Sequence, residues 1–143
     1  MSLRAENKHT WTRWLWLLAP FAWMAVIYWF SAQSRLPHPR EPLLDLLLGK
    51  GAHMAEYAVL AGLWWRALSV IRTARRGSLA TLLAVTWTVT VLYAASDEYH
   101  QLFVPGRHGR VTDVGIDAAG ALLAVVGLWV TIRRRATRSK PRF

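Results

Sequence analysis

The sequence contains no cysteine, which excludes disulfides, thiol nucleophiles and thiolate metal sites and leaves the redox compartment open. Acidic residues are scarce: 8 Asp and Glu stand against 18 Lys and Arg, for a formal net charge of +10. A surplus of this size raises nucleic acid as a partner. The basic residues, however, flank apolar runs and build no helix face of their own, so no nucleic-acid partner is expected. Proline is also sparse, and three of the six (Pro37, Pro39, Pro42) fall in one segment that cannot be regular helix.

What is present is hydrophobic: 54% of the residues, gathered in long runs of the kind that cross a membrane. The pattern predicts an all-α, four-helix transmembrane bundle in one domain, residues 1–143, with spans at about 14–31, 50–71, 79–97 and 112–132. Residues 133–143 read as a basic cytoplasmic tail. The first run is long for a signal peptide and lacks a small-x-small cleavage site, so it reads as a retained helix carrying Pro20. Leu43–Leu48, between Pro42 and Gly49, is too short to span and reads as an interfacial helix between spans one and two. Arg72–Gly77 is a tight basic turn, and Ser78 is placed to cap the third span. Thr81, Thr86, Thr88 and Thr90 inside that span are expected to bond to preceding carbonyls or neighbouring helices. Trp11, Trp14, Trp29, Trp64, Trp65 and Trp129, near run ends, suit an interfacial belt.

Thirteen basic residues fall on the side of the termini and the central turn, and five on the other. The positive-inside rule therefore predicts cytoplasmic N and C termini in a multi-pass protein of a bacterial inner membrane. Every acidic residue except Glu6 then lies toward the extracytoplasmic face. Ser96–Gly120 alone holds Asp97, Glu98, Asp113 and Asp117, half of the acidic total, together with His100, Gln101, Arg107, His108 and Arg110. Ionisable groups where a chain meets lipid are costly, and such a cluster is a functional-site candidate. Lys50, His53 and Tyr57 share an arc of the second span, with Glu56 about 60° beyond His53. Asp113, Asp117, Gly120, Ala124 and Gly127 form one stripe of the fourth. Its small residues let another helix approach and press the two carboxylates against it.

Three spaced motifs carry a family resemblance. They are Lys50-x-x-His53-x-x-x-Tyr57-x-x-Leu60, then Asp97-Glu98-x-x-Gln101-x-Phe103-x-Pro105-Gly106-Arg107, then Asp113-x-x-x-Asp117-x-x-Gly120. In this order they resemble the VanZ-like family of small bacterial membrane proteins, over roughly Trp23 to Val130. The founding member of that family is associated with resistance to the glycopeptide teicoplanin, so the resemblance implies a role at the cell envelope without defining a reaction. At Asp117 the family often has Asn, so this chain carries an additional ionisable group there.

The residues themselves suggest chemistry. Lys50, Arg107 and Arg110 can bind an anionic headgroup, with Gln101, Tyr57, Glu56 and Asp117 lining the same site. His53, oriented by Glu98 or Asp113 and with Asp97 nearby, can move protons or act as nucleophile; His100 is the alternative histidine. The same His and carboxylates, His53 and Glu56 with Asp97, Glu98, Asp113 or Asp117, can also form an oxygen-rich metal site. No HExxH motif marks one, so no metal ligand or cofactor is assigned. Internal pairing is the plainer alternative: Arg107 with Glu98, and Lys50 with Asp97 or Glu56. Three classes stay open: a hydrolase or transferase acting on a membrane-embedded lipid, a lipid- or glycopeptide-binding or carrier protein, and an accessory subunit of a membrane complex. The expected partner is a membrane lipid or lipid-linked envelope intermediate, with homo-oligomerisation through the Gly120/Ala124 face.

Overall fold

The computed structural model describes residues 3–34, 42–72 and 78–138, all helix and short connection. Four helices follow one another: α1 (Leu3–Ser31), α2 (Pro42–Arg72), α3 (Leu79–Gln101) and α4 (Val111–Arg138). The irregular proline connection at 35–41, the basic turn at 73–77 and the end of the tail at 139–143 lie outside the described residues.

All four helices are longer than the apolar runs suggest, α1 and α2 most of all, and α4 continues through Arg138 into the segment read as a tail. The α1 helix begins ten residues before Arg13, where its membrane-compatible stretch starts, and it holds Pro20 in its interior. The segment read as a separate interfacial helix is instead the opening of α2, which passes unbroken through Gly49 and Gly51. Pro42 occupies the first helical position, where its missing N–H is not needed. The leucines that follow favour helix strongly enough to offset about 1 kcal/mol for each glycine.

Among the described residues, three helices are long and apolar enough to cross a membrane: α1 from Arg13 to Ser31, α3 and α4. The second helix has the length but not the apolarity, because Lys50, His53, Glu56 and Arg66 interrupt it. Its position explains why. It packs against all three other helices, most extensively against α4, so much of its surface meets protein rather than surroundings. Tyr57, Leu60, Ala61 and Ala67 on this helix are buried. The first helix lies on α2 and barely touches α3, which leaves it at the periphery of the bundle.

Tyr57, Leu60, Ile27 and Ala94 form the core, with Trp23, Met24, Trp64, Tyr93 and Val114 around them. Trp64, expected in an interfacial belt, is part of this core and meets Phe21 edge-on at 5.3 Å. Trp11, Trp14, Trp29 and Trp129 are exposed, as a belt requires. Two hydrogen bonds between residues distant in sequence clasp α1 to its neighbours: Trp23 Nε1 donates to the Glu56 carbonyl at 3.0 Å and Tyr93 Oη to the Met24 carbonyl at 2.6 Å. Ser78 caps α3 by accepting from the Thr81 N–H at 3.0 Å. Thr86 and Thr90 donate to the carbonyls four residues back, each at 2.8 Å, and need no further explanation.

The C-terminal ends of α1 and α3 and the N-terminal ends of α2 and α4 meet at one end of the bundle, an up-down arrangement. Gly120 sets the closest approach. A Cβ there would fall about 2.8 Å from Met54 Cα, so the two backbones touch. This is the close helix approach expected of the small-residue stripe, and at Gly120 the approaching helix is α2 of the same chain.

Candidate functional site

The polar end is built by three helices. From α2 come Lys50, His53 and Tyr57 at one-turn spacing; from α3, Asp97, Glu98 and Gln101 in its last turn; from α4, Asp113 and Asp117 in its first two. Because Gly120 brings α4 onto Met54, Asp117 one turn earlier is pressed beside His53. His53 Nδ1 and Asp117 Oδ1 are 3.5 Å apart, with Asp117 fully buried and His53 one-third exposed at 33%. The separation is an ion-pair contact rather than a well-formed hydrogen bond, and both Asp117 oxygens lack a hydrogen-bond partner.

A second layer lies on the α3 side. The Gln101 side-chain amide donates to Asp97 Oδ2 and to Glu98 Oε1, both at 3.3 Å, and Tyr57 Oη donates to Asp97 Oδ2 at 3.4 Å. These bonds are long, and all four side chains are buried. The other Glu98 oxygen accepts the backbone N–H of Arg110 at 2.8 Å, drawing the 102–110 connection back over the end of α3. Gly106 makes that return possible, since its φ of 81° lies where side-chain-bearing residues are strained. One ligand atom each from His53, Glu98 and Asp117 lies within 4.8 Å of the others. At the rim, Lys50 Nζ is 3.5 Å from Asp113 Oδ1, with side-chain exposures of 45% and 31%.

Most of the residues singled out in sequence therefore converge, but their pairings differ from those expected. Asp117, rather than Glu98 or Asp113, stands against His53. Lys50 pairs with Asp113, not with Asp97 or Glu56. Arg107 does not reach Glu98; its Nε donates to the Gln33 carbonyl at 3.1 Å and its Nη2 to the Phe30 carbonyl at 3.2 Å. These are acceptors at the C-terminal end of α1, where a cation also suits the helix dipole. Among the described residues, three of its five N–H groups have no hydrogen-bond acceptor. Arg110 enters through its backbone, Glu56 through its carbonyl to Trp23, and His100 stacks on Tyr28 with ring centroids 4.4 Å apart. Phe30 and Gln33 were missed because main-chain acceptors leave no side-chain signal. Trp23 was missed because its indole reads equally well as a belt residue.

The sequence matches the model of the VanZ/LLP1 family over residues 2–133. The chain belongs to the VanZ/LLP1 family. No curated protein and no solved structure matches it. The match takes in all three polar motifs, so the convergence of His53, Glu98 and Asp117 is a feature of the VanZ/LLP1 portion of the chain.

Proposed function

We propose that this VanZ/LLP1 membrane protein binds an anionic, lipid-linked envelope headgroup, such as a phosphate, at its polar end. On this reading α2 is a fourth crossing, sheltered by the other helices, and the bundle sits in the bacterial inner membrane with the polar end extracytoplasmic. Thirteen basic residues against five support that orientation. The observation that carries the proposal is the His53–Asp117 pair set between apolar helices, with Lys50 half-exposed at its rim. A lipid headgroup can reach such a site while its chains stay beside the exposed apolar faces of the bundle, among them Phe21, Leu92 and Leu123.

Lys50 and the remaining donors of Arg107 supply charge for the headgroup, Arg as a planar fork and Lys as a point charge. His53 is the group able to move a proton, held in orientation by Asp117. The link to glycopeptide resistance follows from the family alone. The test is mass spectrometry of wild type, His53→Ala and Glu98→Gln after incubation with bacterial envelope lipids. A lipid consumed by wild type alone supports an enzyme, a hydrolase or transferase. A lipid retained but unchanged, and lost on changing Lys50, supports the binding or carrier reading. A wild type that neither consumes nor retains any lipid overturns the proposal.

A further inference from the structure

We propose that His53, Glu98 and Asp117 form a binding site for one divalent transition cation, Zn2+ or Mn2+. The three side chains come from α2, α3 and α4, far apart in sequence, yet a ligand atom of each lies within 4.8 Å of the other two. An imidazole nitrogen with two carboxylate oxygens is a donor set suited to these ions. Bonds of about 2.1 Å place two ligand atoms of a tetrahedral ion about 3.4 Å apart. His53 Nδ1 and Asp117 Oδ1 are separated by 3.5 Å, long for a hydrogen bond between them and suited to two ligands of one ion.

Asp117 supplies an independent observation. Its side chain is fully buried, neither oxygen has a hydrogen-bond partner, and buried His53 Nδ1 has none either. The Gly120–Met54 contact holds this part of α4 against α2, so the carboxylate cannot turn outward to water. Charge points the same way. Glu56, Asp97, Glu98, Asp113 and Asp117 are opposed by Lys50, Arg107 and Arg110, an excess of two negative charges with His53 neutral. A divalent ion cancels that excess, and buried carboxylates are tolerated when they are paired or coordinate metal. One consequence rests on the headgroup reading above: an oxyanion brought to this end would meet the ion rather than a group of carboxylates.

The test uses the full chain, purified in detergent with any affinity tag removed and dialysed against metal-free buffer. It is then loaded with Zn2+, Mn2+ or Co2+, and bound metal is counted by mass spectrometry. One equivalent per chain is expected, with a visible Co2+ absorption that Zn2+ displaces. Asp117→Asn and His53→Gln should each weaken binding by about tenfold or more. His108→Ala, in the exposed loop, should retain the full equivalent. Absence of stoichiometric metal and of the Co2+ spectrum in wild type overturns the site, whether or not the variants fold. Undiminished binding in both folded variants overturns it as well. Metal bound with no lipid retained supports this site and removes only the headgroup reading. Lipid turnover by metal-free protein, with no metal taken up on loading, does the reverse.

Discussion

Gly120 of α4 lies against the backbone of Met54 in α2, one turn from the contact between His53 and Asp117. A residue without a side chain thus lets the two helices come close where these polar groups face each other. Gly120→Val should force the helices apart, costing about 1–3 kcal/mol as overpacking does. Thermal unfolding in detergent measures the cost. The same variant should lose lipid or metal binding even though it leaves every polar residue in place; unchanged stability and binding together would show the contact to be slack.

Tyr57→Phe removes the hydroxyl that donates to Asp97 and keeps the ring that fills the core. Among the described residues, Gln101 is then the one side chain left donating to the Asp97 carboxylate. A loss of about 1–3 kcal/mol is expected, because a buried acceptor is left under-satisfied. Equal unfolding midpoints for the two proteins would mean that the 3.4 Å contact contributes nothing.

For Arg107→Ala the structure predicts a defect at the other side of the loop. The carbonyls of Phe30 and Gln33 lose a charged donor, for about 1.5–3 kcal/mol each at most if no water replaces it. Hydrogen exchange should rise at the C-terminal end of α1 and in 102–110 while α4 keeps its protection. A headgroup role acting alone would leave exchange unaltered and change only lipid affinity.

Lys50→Gln separates stability from binding. Its pair with Asp113 is substantially exposed, so its loss should change stability by about 0–1 kcal/mol. Retention of an anionic lipid should fall, and the remaining affinity should depend less on salt. An unfolding midpoint lowered as far as that of Gly120→Val would assign Lys50 a structural role instead.

Much of this arrangement was legible in the chain. The periodicity of Lys50, His53 and Tyr57 placed them on one arc, the Asp117–Gly120 stripe implied a close helix contact, and Ser78 marked the start of α3. The partner of each charge was not legible. Helical spacing places residues on a face, but the rotation of one helix against another decides whether His53 meets Asp113 or Asp117, which lie one turn apart. The pairing of Arg107 was hidden for a related reason: its acceptors are carbonyls, which every residue possesses. The continuous start of α2 was also hidden, because Pro42 and Gly49 signal boundaries by rules that neighbouring leucines override.

The tie between Arg107 and the end of α1 also has a consequence in time. A chain made from its N-terminus completes Phe30 and Gln33 more than seventy residues before the guanidinium that will bind their carbonyls. Through that interval the first helix is already formed in sequence but lacks the donor for its own end. The last tie at the end of α1 therefore waits for the third connection, and a nascent chain stopped short of residue 107 would hold α1 by its apolar face, the Trp23 and Tyr93 clasps and the ring contacts of Trp16 and Tyr28, without the Arg107 donor.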